Sequence, residues 1–178
     1  MDIVLPDPSV VVLIGPAGAG KSTFAARHFA ADEVLSSDAF RAIVAGNEAD
    51  QSATRAAFAA LHRALVRRLA AGRLTVVDAT NVERHARRAI LARARVAGVP
   101  AVAIVFDLGL DLVLARNAGR RERVVEPTVV ERHRAMLARL LAESGGETLA
   151  AEGFAAVHRL TTPDAIERVR FSRRNPPR

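Results

Sequence analysis

Val10-Val11-Val12-Leu13-Ile14 is an unbroken apolar run, β-branched at four of its positions, that stops at Gly15. Such a run reads as a strand covered on both faces, the kind found in parallel sheets. A glycine-rich turn follows, and the spacing then predicts a helix from about Lys21 to Ala31. Glu33 to Ser36 form a short second strand, a helix starts near Asp38, and a longer helix runs from about Ser52 to Ala71. Gly72 interrupts it. Leu74-Thr75-Val76-Val77 makes a third strand ending at Asp78, and Thr80-Asn81-Val82-Glu83 has the S/T-x-x-E form of a capping box for a helix lasting to about Ala97. Gly98 and Pro100 close that helix. Ala101 to Phe106 is a fourth strand, helices begin near Leu110 and Pro127, and Ala155 to Leu160 is a fifth strand. Short apolar strands alternating with longer helices specify an α/β domain with a central parallel sheet.

Composition narrows this only slightly. A chain of 178 residues, half of them apolar and a quarter charged, is a globular domain able to bury its own core. The lack of cysteine excludes disulfides, thiolate metal sites and a catalytic thiol. No apolar run approaches the roughly 20 residues of a membrane span, and no leader-like segment opens the chain, so a soluble, cytoplasmic protein is expected. The net charge of +7 has two readings, a polyanionic partner or a coding bias toward Arg in an Ala-rich chain. One detail lies outside that bias. Lys21 is the only lysine, placed where a compact ammonium suits phosphate oxygens better than a planar guanidinium.

The chemistry begins at Gly15-Pro16-Ala17-Gly18-Ala19-Gly20-Lys21-Ser22, a complete G-x-x-x-x-G-K-[ST] between a predicted strand and a predicted helix. In that context the backbone N–H groups wrap the phosphates of ATP and the helix N-terminus faces them. Lys21 then reaches the β- and γ-phosphates, and the Ser22 hydroxyl is a ligand for Mg²⁺. Ser36-Ser37-Asp38 lies at the carboxyl end of the second strand, followed by Arg41. Ligands of parallel sheets sit at the carboxyl ends of strands, so Asp38 either serves as a base for an attacking hydroxyl or caps the following helix. Arg116, Arg120 and Arg123, at i, i+4 and i+7, share one helical face; they form either an arginine-bearing lid or a solvated basic surface. Asp78 ends the third strand, where it orients a magnesium-bound water or makes the turn into the capping box. Asp107, ending the fourth strand, has a structural reading only. The histidines, His28, His62, His85, His133 and His158, show no ligand-like spacing and read as surface or helix-face residues.

The ordered set Gly15 to Thr23, Ser36-Ser37-Asp38 with Arg41, Val76 to Asn81, and Arg116-Asn117 with Arg120 and Arg123 resembles the 5′-OH polynucleotide kinases. It is similar in particular to the N-terminal kinase domain of the bacterial polynucleotide kinase–phosphatase of RNA repair. The likeness also touches Phe40, Gln51 and Glu152-Gly153-Phe154. It implies a P-loop phosphotransferase with a five-stranded parallel sheet in the order 2-3-1-4-5 and a helical arginine-bearing lid. It further implies that Asp38 is the general base and that Arg41 orients it. Arg116, Arg120 and Arg123 would cover ATP, and Gln51, Thr80 and Arg87 would contact the acceptor strand. The implied cofactors are ATP and Mg²⁺, and the implied partners are RNA or DNA 5′-OH ends. Residues 1–170 are expected to form the kinase domain and 171–178 a basic, proline-bearing tail or linker. Phosphatase and ligase domains follow the kinase in the family member resembled, so an excised domain and a stand-alone kinase are both open. The competing functions are a small-molecule kinase of the same fold, acting on a sugar, an antibiotic or a nucleotide-sugar, and a nucleotide-dependent switch.

Overall fold

The computed structural model describes residues 1–45, 54–120, 124–142 and 147–174. Its elements in chain order are β1 (Asp2–Pro6), β2 (Val10–Ile14), α1 (Lys21–His28), a 3₁₀ turn at Ala31–Glu33, β3 (Val34–Ser36), α2 (Ser37–Ala45), α3 (Thr54–Ala70) and β4 (Thr75–Asp78). There follow α4 (Arg84–Val96), β5 (Ala101–Phe106), α5 (Leu110–Ala118), α6 (Pro127–Ala142), α7 (Glu147–Glu152), β6 (Ala156–Leu160), α8 (Pro163–Glu167) and β7 (Arg170–Arg174). The main sheet is five-stranded and parallel, in the order β3-β4-β2-β5-β6. Counting only the strands of this sheet, that is the expected order.

The apolar run Val10–Ile14 is fully buried because β2 lies at the centre of the sheet with helices on both faces. Side chains alternate across a strand. Val10, Val12 and Ile14 therefore meet Leu61, Leu65 and Leu69 of α3, Ile90 of α4 and Leu137 of α6. Val11 and Leu13 point the other way, into a layer with Phe24 of α1, Ile104 and Phe106 of β5, and Ile3 and Leu5 of β1. A strand with no polar face can end only in the middle of such a sandwich.

The chain ends depart from the expected pattern. β1 and β7 form a separate two-stranded parallel ladder pairing Asp2 with Arg170 through Pro6 with Arg174. The expected tail at 171–178 thus begins inside a strand, and the boundary at residue 170 does not hold; residues 175–178 lie outside the described set. Phe171 makes the difference, packing its ring on Phe24, His28 and Phe29.

The capping box also fails to form. Asn81 takes a left-handed backbone (φ 50°), and its side-chain amide donates to the Leu13 carbonyl at 2.8 Å. That tie holds the loop after β4 against the end of β2, so α4 starts only at Arg84 with Glu83 as its cap residue.

Candidate active site

β2 releases the chain into residues 15–20, which turn at the carboxyl edge of the sheet and feed α1. Gly20 precedes the first residue of α1 with φ 91°, and Gly18 has φ 81°, both in the left-handed region that favours glycine. Gly18 is also sterically fixed: a Cβ there would fall 2.3 Å from the Val113 carbonyl oxygen of α5. The loop therefore rests directly on α5, which carries Arg116; the helix ends at Ala118, so Arg120 lies beyond it and the expected single helical face does not extend to Arg120. A Cβ at Gly20 would meet the Arg116 guanidinium at 3.6 Å, so loop and helix form one unit.

Lys21 is 7% exposed, and its ammonium donates to the Pro16 carbonyl at 2.8 Å. Burial lowers its pKa to about 8; Asp78 opposes that shift and Arg120 reinforces it. Asp78 itself is buried at the end of β4. With no capping box, the turn-forming alternative for Asp78 has lost its partner, and the carboxylate lines the cleft beside the loop.

That cleft has a volume of about 750 Å³. Lys21, Ser22, Asp38, Arg41, Arg116 and Arg120 all line it, as does Thr80. β3 ends at Ser36 beside Asp78 of β4, which carries Asp38 in the first turn of α2 to the same edge as the loop. Asp38 is ion-paired with Arg41 one helical turn on, and the Arg120 guanidinium reaches within 4.0 Å of its other oxygen. Thr80 holds the floor through its carbonyl, which accepts from the Gly15 N–H at 2.9 Å.

Arg87 is elsewhere. Its side chain is 2% exposed and donates to both Glu152 carboxylate oxygens at 2.7 Å, and to the carbonyls of Asn81 and Val82. An arginine with its donors consumed in the interior cannot reach an acceptor strand, so the expectation for Arg87 is corrected: it clamps α4 and the β4–α4 loop to α7. Gln51 and Arg123 lie outside the described residues. Asp107 is structural as expected, bonded by Arg159 and by Arg134 at 3.1 Å.

Several lining residues had no signal in the sequence. His133 of α6 enters the cleft with its Nδ1 buried and unbonded. Burial, with Arg132 and Lys21 nearby, pushes its pKa down, so it is neutral at pH 7. Arg27, Phe58, Glu126 and Ile166 line the cleft too, brought from α1, α3, the turn before α6, and α8. Asn117, 1% exposed, ties the end of α5 to Val125. Its amide donates to the Val125 carbonyl at 2.6 Å and accepts from the Val125 N–H at 3.2 Å.

The cleft fits a nucleoside triphosphate with a divalent cation. The glycine turns leave no side chain between the backbone and the space over α1, and Ser22 is exposed at the helix start. Lys21 now spends its proton on a backbone carbonyl that a phosphate oxygen would replace. Among the described residues no group of three or more His, Asp or Glu converges as a metal cage, so a cation here would rest on Ser22 and phosphate oxygens, with Asp78 behind them. Among the described residues no helix is long and apolar enough to cross a membrane.

Against known proteins, the family model described as AAA domain matches residues 10–143. No curated protein matches the sequence. A chain of the Pnkp1/Rnl/Hen1 RNA repair complex superposes with a TM-score of 0.67 at 19% identity, over 76% of this chain and 46% of that one, so this chain spans about half its length. A sugar kinase from Janibacter sp. superposes with a TM-score of 0.56 at 19% identity, over 90% and 91% of the two chains. Kti12 of Chaetomium thermophilum, solved with ADP-AlF3, does so with 0.63 at 17% identity, over 89% and 93%. Such identities show a common fold.

Proposed function

The chain belongs to the AAA-domain family and is a P-loop kinase domain, and from that premise we propose that it transfers the γ-phosphate of ATP to the 5′-hydroxyl end of RNA or DNA. The observation that carries the reading is the grouping of Asp38 with Arg41 and Arg120 in the cleft that Lys21 lines. A hydroxyl acceptor needs a carboxylate held in place to take its proton, and the two guanidiniums fix where this one points.

In this mechanism Asp38 accepts the proton of the attacking 5′-hydroxyl while Arg41 fixes the direction of its carboxylate. Arg120 and Arg116 lie over the transferring phosphoryl group and meet the charge that develops there. Lys21 exchanges the Pro16 carbonyl for phosphate oxygens, and that anionic contact restores the proton affinity that burial removed. Ser22 would hold magnesium, which when bound neutralises the phosphate oxygens, and Asp78 would orient the water around it. Ile166 and Arg27 offer an aliphatic wall and a guanidinium plane to the nucleobase. The net charge of +7 supports a polyanionic acceptor.

A small-molecule kinase is the second reading, favoured by the cleft's volume of about 750 Å³, which suits a nucleotide with a sugar-sized acceptor. The decisive experiment offers radiolabelled ATP and Mg²⁺ with a 5′-OH oligonucleotide, a matched 5′-phosphate strand, and Asp38→Asn. Label on the 5′-OH strand alone, lost in the variant, is expected. ATP binding with no labelled strand would reject the polynucleotide reading. Salt separates the acceptors as well: a polynucleotide KM rises steeply with ionic strength, and a neutral sugar's does not.

A further inference from the structure

α3 has two faces, and the cleft accounts for neither in full. Ala57, Leu61, Leu65 and Leu69, spaced by four, are buried beneath the sheet's helical layer. The opposite stripe is Arg55, Phe58, His62, Arg63 and Arg67, which with Arg93 of α4 lines a second groove of about 760 Å³. Arginines and apolar or aromatic side chains make up this lining; among the described residues no carboxylate joins them.

Three of the groove's arginines are uncommitted, while Arg93 donates through one guanidinium nitrogen to the Ala89 carbonyl at 2.5 Å and keeps its other donors for a ligand. Among the described residues Arg55, Arg63 and Arg67 form no ion pair, whereas the adjacent Arg68 is tied to the Thr75 hydroxyl and the Leu74 carbonyl. Val66, half exposed, and the Phe58 and His62 rings lie between the cations. Burial and the charge of Arg93 lower the His62 pKa, leaving that ring neutral and able to stack. Alternating cations with flat or apolar side chains is the pattern that tracks a single strand, phosphates to the guanidiniums and bases to the rings.

The groove also adjoins the cleft. Phe58 lines both, and α2, which carries Asp38 and Arg41, packs on α3. From Arg55 to Arg67 the helix rises roughly 18 Å, enough for several phosphates of one strand.

We infer that this groove is the track for a single-stranded RNA or DNA acceptor beyond its 5′ end, with the terminal hydroxyl at Asp38 and the following phosphates on Arg55, Arg63, Arg67 and Arg93. The inference rests on the polynucleotide reading of the cleft and adds a length requirement to it. Acceptors reaching past Phe58 bind more tightly than a dinucleotide, and the gain is electrostatic.

The test uses Arg63→Ala/Arg67→Ala, both exposed and outside the catalytic cleft, with a charge-reversed pair, Arg63→Glu/Arg67→Glu. Phosphorylation of a 5′-OH dinucleotide and of a strand of about twelve nucleotides is measured, with binding of the longer strand across a salt series. The Ala pair should leave the melting temperature and dinucleotide turnover unchanged, and raise the long-strand KM roughly tenfold. Its log–log salt slope should flatten by about 1.4, two single-strand phosphate contacts at about 0.7 each. The Glu pair should weaken the long strand further. Equal effects on both acceptors, or none on either, would overturn the track. If no oligonucleotide is phosphorylated yet the long strand binds with a slope the variant flattens, the groove stands and the kinase reading falls. Labelled strands of either length that ignore both variants remove the groove and keep the kinase. A polyglutamate of matched charge binding as tightly as the strand would show mere anion attraction and overturn the nucleic-acid assignment.

Discussion

Arg87 of α4 and Arg41 of α2 each hold a carboxylate, and their surroundings set them to different work. The Arg87 and Glu152 side chains are each 2% exposed, and Nη1 of the guanidinium donates to the Asn81 and Val82 carbonyls. Asp38 is 28% exposed on the wall of an open cleft, with Arg41 at 11% and Arg120 on its far side. A pair sealed from water with its donors satisfied fixes three segments of chain and has nothing left for a ligand. A pair at the edge of solvent, with a second guanidinium beside it, keeps its carboxylate reachable. An arginine–carboxylate pair thus becomes a sealed clamp or an open pair lining a cleft according to burial and charge balance.

Breaking the open pair should give the largest effect. Asp38→Asn is expected to lower kcat by roughly 10²–10⁴ with ATP affinity retained and the melting temperature nearly unchanged. A variant that lost several degrees of melting temperature but kept its turnover would make Asp38 a helix cap instead. The sealed pair should answer in the opposite way. Glu152→Ala strands the Arg87 charge in the interior, and a loss of about 3–5 kcal/mol in unfolding free energy is expected, with kcat intact in the folded fraction. Chemical denaturation beside steady-state kinetics separates the two, and a kcat defect without a stability defect would return Arg87 to the site.

Lys21 sharpens the comparison because it is buried yet lines the cleft. Its pKa falls from 10.5 unfolded to about 8 folded, so between those pH values the unfolded chain binds more protons. Stability of the nucleotide-free protein should therefore rise with pH from about 8 to 10.5 and be flat below. Lys21→Met should abolish phosphoryl transfer, erase that rise, and stabilise the protein at pH 7 by on the order of 1–3 kcal/mol. Thermal melts from pH 7 to 10.5 would read it, and parallel curves for the two proteins would contradict the assignment.

The smallest effect belongs to a pair on the surface. Arg173 of β7 bonds both oxygens of Glu33 at 2.7 and 2.8 Å while 42% exposed. Arg173→Ala should cost at most about 1 kcal/mol. The hydrogen bonds from Arg173 hold the Glu33 pKa below 4.5, so the contribution is present above that value and lost as pH falls through the depressed pKa. A difference between wild type and variant that persisted in acid would show that Arg173 acts through packing.

Much of this was legible in the residues. The run at 10–14, the loop at 15–22 and the strand at 101–106 follow local rules, because a both-faces-buried strand and a phosphate-wrapping turn each need a contiguous set of residue types. Asp38, Arg41, Arg116 and Arg120 were legible as candidates, and they do share the cleft. Arg87 was misjudged because an arginine on a helix looks alike whether its partner is solvent, a strand or Glu152, 65 residues away. The Thr80–Glu83 box was misjudged because the Asn81 amide finds the Leu13 carbonyl, 68 residues back, and a buried hydrogen bond outweighs a local cap. β7 reads as a basic tail until Phe171 meets the rings of Phe24, His28 and Phe29. His133 had no spacing to mark it; only α6 crossing the cleft gives it a place.

The sequence by itself determined the strand–loop–helix that receives phosphate, since those contacts are made by backbone and side chains within a few residues of one another. It also determined the alternation that builds the parallel sheet. Only the tertiary structure decided which arginines are clamps and which face the cleft, where the chain's two ends pair, and that Phe58 joins the cleft to a second basic groove. Those outcomes depend on burial and on charges brought together from distant segments, and neither quantity exists until the chain has closed on itself.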